Sequence, residues 1–493
     1  MRLQIGNRHR WKMAAAMLFL PAVALVLASG PAAATPPPLV PAPVASASPG
    51  ASAQPAGFFT GLRRRTQLLG DPFGARTWLS RYGMTLSASE TSEELGNVTG
   101  GYKQGFDYDG LTQMDLQLDT QRGFGWFGGT FNASALSIHG RDLSESNLGS
   151  LQTASGIEAD DASRLWELWY QQELRRDGRM DVKVGQQSLD QEFIVNQNAS
   201  LFVNTMFGWP MLPSANLPGG GPAYPLSALG VRLRAEPTNS LTVLTGVFNG
   251  SPDTVNVGDP QRENPNGLIF PLNGGVLAIG ELQYTYPALG QIVYSDKPEP
   301  LARTIKLGFW YDSENFPDLA IDRNGIPLVS PASSGVPRLH QGNYSAYVTI
   351  DQLLYQQADD PYRTVSAFAR VMGDPLGASN LIEFSANAGL TLHEPIRHRR
   401  DDTLGIGFGY THVSSGALMA DEYAQQYVNP AIPLQSGEAY VESTYQYQLY
   451  PWIQLQPDFQ YTFNPGAGIL NVDPPFKKVQ DEAVVGIRAI IQL

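Results

Sequence analysis

Residues 382–392 read IEFSANAGLTL, and this stretch decides the fold class of the chain. Apolar side chains occupy every second position from Ile382 to Leu392. The positions between them hold Glu383, Ser385, Asn387, Gly389 and Thr391. A period of two is the signature of a β-strand with one apolar face and one polar face. The same alternation recurs at 112–119 and at 453–461, so the sequence predicts an extended sheet.

About sixteen segments share this pattern, and together they predict an all-β chain from residue 83 to the last residue printed. Their approximate bounds are 83–91, 110–119, 128–139, 164–174, 180–188, 228–236, 241–248, 275–285, 302–312, 343–354, 364–372, 382–393, 403–413, 437–448, 452–462 and 483–493. Short and long connections alternate between them. The long ones run near 140–163, 189–227, 249–274, 313–342, 414–436 and 463–482. One connection that the alternation requires to be short, near 286–301, is longer than expected.

Strands of this kind fit two architectures, a soluble sandwich and a membrane barrel. The sandwich puts apolar faces inward, whereas the barrel turns them towards lipid and the polar faces towards an aqueous lumen. An even strand number, which closes the sheet without free edges, favours the barrel. Aromatic residues near strand ends, such as Trp126, Tyr447 and Trp452, also favour it, because interfacial girdles are aromatic. The predicted fold is a transmembrane antiparallel β-barrel of about sixteen strands, with a closing strand that ends on Leu493.

The segment before the barrel divides into three predicted parts. Residues 1–34 combine a basic start, an apolar run and an Ala-rich cleavage site, which predicts a secretory signal peptide. The alternative is a membrane anchor, but the apolar run is shorter than the roughly 20 residues needed to span. Residues 35–56 are rich in Pro and Ala and predict an extended linker. Residues 57–82 predict a short helical segment, with Trp78, Leu79 and Tyr82 on one face.

Composition excludes several function classes. The chain contains no cysteine, so disulfide scaffolds, thiol catalysis and cysteine-based metal sites are excluded. A net charge of −13 argues against a nucleic-acid partner. The six histidines show no metal-ligand spacing, and the sequence predicts no metal and no cofactor. GIGFG at 405–409 lies inside an alternating strand, so we interpret it as barrel wall rather than a nucleotide loop.

If the apolar faces meet lipid, the opposite faces line the pore. The predicted lining contains bases, acids and aromatic residues on the same faces: Lys183, Arg232, Arg234, Lys306, Arg370, Arg488, Asp115, Glu167, Glu281, Glu383, Glu442, Asp458, Trp169, Trp310, Tyr347, Phe368 and Tyr440. A register slip of one residue would turn a whole strand's set outward. Such a mixture of guanidinium groups, carboxylates and rings suits sugars, whereas ion pores carry more uniform charge. Structural ion pairing is the alternative role for each charged residue.

The stretch FGWPMLPSANLPGGGPAYP at 207–225 predicts a stiff and irregular loop. Its many prolines and glycines exclude regular structure, yet large apolar side chains make it unlike a solvated loop. We expect it to fold into the lumen and narrow the pore, with Trp209, Asn216 and Tyr224 as its constriction-loop residues. An extracellular cap that packs on itself is the alternative.

This central region, Phe207–Pro252, resembles the carbohydrate-selective porins of the OprB type. Further matching pieces are LLGDPFGARTWLSRYGMTLS at 68–87, LWELWYQQEL at 165–174 and VGQQSLDQEF at 184–193. The resemblance extends over residues 57–493 and implies a sixteen-stranded barrel of the bacterial outer membrane that passes glucose and other sugars passively. It places the sugar-binding constriction at Arg232 and Arg234, with further contributions from Glu167, Trp169 and Lys183. Leu493 departs from the aromatic residue that usually ends such barrels.

The resulting hypothesis is a passive channel for sugars of the glucose type and for small oligosaccharides. Its expected partners are small sugars and outer-membrane lipid, and it is expected to be a monomer or a homo-trimer. The main alternative is a general diffusion porin without sugar preference. A third possibility is an adhesive or structural barrel. An enzyme is not expected, because no nucleophile motif is present.

Overall fold

The computed structural model describes residues 61–252, 259–288, 302–471 and 477–493. Within these residues sixteen β-strands form one closed barrel, in which every strand pairs antiparallel with its neighbours in sequence and β1 pairs with β16. The strands are β1 Met84–Thr99, β2 Gly105–Asp119, β3 Gly129–Gly140, β4 Ala162–Glu173, β5 Met180–Gln187, β6 Ala228–Ala235, β7 Leu241–Asn249, β8 Val276–Tyr286, β9 Arg303–Asp322, β10 Pro337–Gln356, β11 Thr364–Gly373, β12 Ile382–His393, β13 Thr403–Val413, β14 Gly437–Tyr450, β15 Ile453–Phe463 and β16 Glu482–Gln492.

Short helices lie before β1 and in the connections between the strands. They are α1 Ala75–Arg81, α2 Thr120–Phe124, α3 Leu143–Asn147, α4 Met211–Asn216, α5 Pro260–Glu263 and α6 Ser415–Tyr427. No helix in the described part of the chain is both long and apolar enough to cross a membrane. The fold prediction is therefore confirmed in its strand number, its closure and its antiparallel pairing.

Side-chain burial shows that the barrel is inside out relative to a soluble sandwich. Along β9, Ile305, Leu307 and Phe309 are exposed on the outer surface. At the alternate positions of the same strand, Lys306 and Trp310 are buried inside. Apolar side chains on the outside and charged ones within are what a lipid solvent requires.

The two ends of the barrel differ, as the alternating connections predict. One end, the short-turn end, carries connections such as 174–179, 236–240 and 451–452. The other, the long-loop end, carries 141–161, 188–227 and 414–436. The prediction of a loop at 313–342 is wrong, because β9 and β10 continue past the barrel as a hairpin. Packing against α6 and burial of Phe316 and Ala320 stabilise this hairpin despite its polar, Pro-containing sequence.

The residues before β1 lie at the seam where the barrel closes. Of the predicted helical segment 57–82, the described part contains α1 and two short 3₁₀ turns. Arg76 donates a hydrogen bond to the carbonyl of Leu493 at 2.6 Å, and Leu68 N–H donates to the carbonyl of Gln492 at 2.7 Å. The segment therefore ties the first strand to the last. The predicted signal peptide and linker lie outside the described residues.

Candidate functional site

The β5–β6 connection, residues 188–227, folds into the lumen and is referred to below as the lumen loop. Its apolar side chains join one buried cluster with wall residues of β7 to β14. Phe202 and Phe207 pack against Phe368, with ring centroids 5.6 Å and 5.7 Å away. The loop stays out of bulk water because the barrel wall encloses it, rather than by packing on itself as an external cap.

Two wall glycines make room for these rings. A Cβ added at Gly405 would lie 2.6 Å from the side chain of Leu201, and one at Gly407 would overlap the ring of Phe207. The run GIGFG is thus a wall surface that accepts the lumen loop.

Charged wall residues hold the main chain of the lumen loop. The guanidinium of Arg370 on β11 donates to the carbonyls of Ile194 at 3.0 Å, Gly208 at 2.9 Å and Phe207 at 3.3 Å, and also to that of Met206. Such bonds to a charged donor are stronger than neutral ones. One arginine thereby joins two parts of the loop.

Three wall carboxylates accept hydrogen bonds from backbone N–H groups of the lumen loop. Glu442 on β14 accepts from Val203 N–H at 2.6 Å and from Asn204 N–H at 3.0 Å. Asp351 on β10 accepts from the N–H groups of 197 and 198 at 3.1 Å and 3.0 Å. Glu281 on β8 accepts from Ile194 N–H at 2.9 Å. The wall from β8 to β15, with these anchors, is called the covered wall below.

A second loop, residues 141–161, also enters the barrel, which the sequence did not predict. Glu438 accepts from Leu151 N–H at 2.7 Å and from Gln152 N–H at 2.8 Å. Glu482 accepts from Gly149 N–H at 2.6 Å. The two loops also meet each other, because Thr205 donates its hydroxyl to the carbonyl of Ser155 at 2.6 Å.

The three predicted constriction-loop residues lie in the lumen loop but are buried there. Trp209 donates its indole N–H to the carbonyl of Gly220 at 2.9 Å. Asn216 bonds both the carbonyl and the N–H of Ile382, at 2.6 Å and 3.1 Å. Tyr224 stacks edge-on against Trp166 and donates its hydroxyl to the carbonyl of Ile157 at 3.3 Å. Trp209 therefore stabilises the loop internally, whereas Asn216 joins it to β12 and Tyr224 joins it to β4 and to residues 141–161.

The lumen face of β4, β5 and β6 differs from the covered wall and is called the open wall below. Several of its side chains are only half-buried, including Trp169, Gln171 and Arg234. On β2, which is separated from β4 by β3, Asp115 and Gln117 are also half-buried. Most inward side chains of the covered wall are buried, apart from some near the short-turn end such as Gln283 and Gln454, so water inside the barrel reaches the wall on this side.

The structure brings the predicted arginines together with carboxylates. Asp181 pairs with Arg232 and, at 2.7 Å, with Arg234. Arg234 also pairs with Glu236. Two arginines on one strand face repel each other unless an anion lies between them, and Asp181 supplies that charge.

Glu192 of the lumen loop completes this group. Its carboxylate pairs with Lys183 and lies 2.6 Å from Nε of Arg232. Burial alone would raise the pKa of Glu192, but Lys183 and Arg232 beside it bring the pKa below its ordinary value. Glu192 therefore remains ionised, and the loop is anchored to the open wall as well.

The remaining predicted residues form the next contact along the same wall. Nζ of Lys183 lies 4.3 Å from the ring centroid of Trp169, a cation–π contact. The indole N–H of Trp169 donates to Glu167 at 3.3 Å, and Glu167 accepts from Ser188 N–H at 2.9 Å. All five predicted site residues thus lie on adjacent strands, in one network.

Sequence reasoning missed two members of this group. Asp181 alternates with Lys183 along β5, so strand parity could have placed it in the lumen. Glu192 lies in an irregular loop, where no periodicity shows which way a side chain points. Within the described residues, no group of three or more His, Asp or Glu side chains is arranged to hold a metal ion.

Comparisons with known proteins agree with the barrel fold. The family described as "Carbohydrate-selective porin, OprB family" matches residues 103–493. Porin B of Pseudomonas aeruginosa is 25% identical over 423 residues, which cover 82% of this chain and 88% of that protein. The high-pH structure of Pseudomonas putida OprB superposes with a TM-score of 0.74 at 23% identity, covering 87% of this chain and 98% of the other. The superposition shows a common fold.

Proposed function

The chain belongs to the carbohydrate-selective porin family, and from that premise we propose that sugars cross its outer-membrane barrel along the open wall. The proposed solutes are neutral sugars of the glucose type and small oligosaccharides. Transport is passive, and the proposal assigns no catalytic step to the chain. Residues 1–34 and 35–56 are proposed as a cleaved signal peptide and a linker.

The observation that carries this proposal is the half-buried ring of Trp169 beside paired charges. A sugar offers C–H faces that stack on an aromatic ring and hydroxyls that both donate and accept hydrogen bonds. Lys183, Arg232 and Arg234 are each paired with a carboxylate, so the open wall offers donors and acceptors without a large net charge. Such a surface favours polar uncharged solutes over ions.

Within this site the residues have different proposed roles. Trp169, Lys183 and Glu192 are proposed to contact the sugar, because their side chains lie nearest the half-buried surface. Arg232 is buried, and it is proposed to position Glu192 and Asp181. Arg234 is half-buried and is proposed to meet sugars nearer the short-turn end.

The test is single-channel recording in a planar bilayer, with glucose and maltose titrated against the ionic current. The parent channel should show saturable block. Trp169→Ala should weaken the block about tenfold, equivalent to about 1.4 kcal/mol of binding free energy. Trp126→Ala is the matched control, because Trp126 is an exposed tryptophan outside the lumen in the β2–β3 connection.

Two results would contradict the proposal in different ways. Current that falls only as solution viscosity predicts would leave a general diffusion porin without sugar preference. Saturable block that Trp169→Ala leaves unchanged would keep the sugar function and move the site elsewhere in the lumen.

A further inference from the structure

Arginine side chains stack on aromatic rings around the short-turn end of the barrel. The guanidinium carbons lie 5.0 Å, 5.8 Å, 4.0 Å and 4.3 Å from the ring centroids, in the pairs Arg176–Phe127, Arg303–Tyr286, Arg399–Tyr447 and Arg400–Tyr362. Every arginine–ring contact of this kind in the described part of the chain lies at this end. The pairs involve strands and connections from β2 to β14, so they are spread along much of the rim.

One of these four arginines already has a carboxylate partner. The guanidinium of Arg399 forms an ion pair with Asp402 and donates to the carbonyl of Gln448 at 3.0 Å. The side chains of the other three form no ion pair and no hydrogen bond with the described residues. We call these three the arginine rim, and its members are Arg176, Arg303 and Arg400. Stacking covers one face of a guanidinium and leaves the N–H groups at its edge available.

Arg303 shows where the rim lies relative to the membrane. It is the first residue of β9, and on the same face of that strand Ile305 and Leu307 are exposed towards lipid. In the β8–β9 pairing Arg303 lies directly opposite Tyr286. The next outward pair is Ile305 with exposed Tyr284. Because aromatic residues mark the boundary between hydrocarbon and head groups, Arg303 lies just past the apolar band, at the depth of lipid phosphates.

The other two members lie just beyond strand ends at the same end of the barrel. Arg176 is exposed in the β4–β5 connection, and its ring partner Phe127 lies two residues before β3. Arg400 is exposed in the β12–β13 connection, and its partner Tyr362 in the β10–β11 connection is 43% exposed. Each contact joins two separate connections, so the ring holds the guanidinium in place beside the membrane surface.

The two ends of the barrel also differ in charge. Over the described connections of the short-turn end arginines outnumber acids, most clearly in residues 61–83, which contain five arginines and one aspartate. Residues 141–161 of the long-loop end contain five acids and one arginine. Charged groups beside a membrane attract head groups of the opposite sign. Anionic head groups are therefore favoured at the short-turn end and disfavoured at the long-loop end.

We propose that the arginine rim binds phosphate groups of anionic phospholipids in the leaflet at the short-turn end. A guanidinium offers paired N–H donors that match two phosphate oxygens. The ring beneath it restricts its motion, so less conformational entropy is lost when the lipid binds. Short turns of such barrels face the periplasm, so the ligand belongs to the inner leaflet of the outer membrane. The proposal does not depend on sugar transport.

The test measures which lipids surround the protein after reconstitution in phosphatidylcholine bilayers. Electron paramagnetic resonance with spin-labelled phosphatidylglycerol and spin-labelled phosphatidylcholine gives the relative association of the two lipids. For the parent we expect a preference of about twofold or more for phosphatidylglycerol. The combined variant Arg176→Gln, Arg303→Gln and Arg400→Gln should lose this preference. Equal association of the two lipids with the parent would overturn the proposal.

The matched control removes the same charge from arginines that already have partners. It combines Arg141→Gln, Arg175→Gln and Arg262→Gln. These three side chains are more than half exposed, and each pairs with a carboxylate, at 3.6 Å, 2.8 Å and 2.9 Å. The control should keep the parent preference. An equal loss in both combined variants would assign the preference to net charge alone and would overturn the proposal.

Free phosphate is a second source of the same chemistry. Inorganic phosphate in excess should change the lipid preference no more than sodium chloride of the same ionic strength. Specific displacement of spin-labelled phosphatidylglycerol by inorganic phosphate would assign the rim to a soluble anion and overturn the lipid proposal.

Single variants decide the question if the combined rim variant fails to insert. Arg303→Gln should reduce the preference for phosphatidylglycerol, whereas Arg175→Gln should leave it at the parent value. Equal preferences in these two variants would overturn the proposal. Failure of the sugar proposal would leave all these readouts unchanged.

Discussion

The covered wall and the open wall of the lumen contain the same residue types, but these residues have different roles on the two walls. Arg370 on the covered wall and Arg232 on the open wall both point into the barrel, and both are almost completely buried. Arg370 donates hydrogen bonds to carbonyls of the lumen loop, whereas Arg232 pairs with the carboxylates Asp181 and Glu192. An inward arginine in a barrel therefore either anchors a loop through its main chain or holds the carboxylates of a network beside the solute path, according to what the loops place in front of it.

The largest effect is expected from releasing the lumen loop from the covered wall. Arg370→Met removes several bonds from a charged donor, which should destabilise the loop by about 3 kcal/mol or more. The freed loop should raise single-channel conductance about twofold or more, because a sixteen-stranded barrel is wide enough for an open channel. Arg303→Met, at an exposed arginine near the short-turn end, is the control. Parent-like conductance in Arg370→Met would show that the loop does not depend on this anchor.

A smaller effect is expected from crowding the surface on which the loop rests. Gly407→Val would place side-chain atoms where the ring of Phe207 lies. Overpacking of this kind costs about 1–3 kcal/mol. We expect a noisier channel and a lower unfolding temperature. Gly373→Val is the control, because a Cβ at Gly373 meets no atom within 4 Å. A thermal melt and a single-channel recording of each variant show whether Gly407→Val has these effects and Gly373→Val does not.

The open wall is tested by removing the charge that balances its bases. Glu192→Gln leaves Lys183 and Arg232 short of one carboxylate, so the channel should shift towards anions. The reversal potential in a salt gradient measures this shift. Glu383→Gln is the control, since Glu383 is partly exposed and pairs with His412 at 3.3 Å.

The ionisation of Glu192 determines how ion selectivity depends on pH. The neighbouring bases hold the pKa of Glu192 below its ordinary value of 4.5. A carboxylate with a lowered pKa contributes its ion pairs above that ordinary value and loses them only when pH falls through the lowered one. The difference in ion selectivity between the parent and Glu192→Gln should therefore stay constant from neutral pH down to the ordinary carboxyl range. A shift that begins near pH 6 would contradict this assignment.

The smallest effect is expected inside the lumen loop. Tyr224→Phe removes one hydrogen bond to the carbonyl of Ile157 and keeps the ring against Trp166. We expect a loss of about 1 kcal/mol in unfolding free energy and parent-like conductance. A large change in conductance would place the hydroxyl of Tyr224 in the path of ions.

The sequence predicted the barrel because strand parity depends on local alternation alone. It also placed Arg232, Lys183 and Trp169 on one side of adjacent strands. It did not distinguish Arg370 from Arg232, since the loop that covers Arg370 is more than 150 residues away in the chain. Strand alternation also predicted that Glu383 lines the pore. This prediction is wrong, because a β-bulge between Ile382 and Phe384 shifts the register at the end of the strand.

The main-chain anchoring of the lumen loop has a consequence for redesign. Arg370, Glu442, Asp351 and Glu281 bind carbonyl and N–H groups, which every residue type except proline supplies in full. Exposed loop side chains, such as Gln197 and Ser200, are therefore open to exchange without loss of these anchors. A library of lumen-loop sequences on an unchanged barrel would vary the side chains that face the pore. The wall residues would hold the main chain of each loop in the same place.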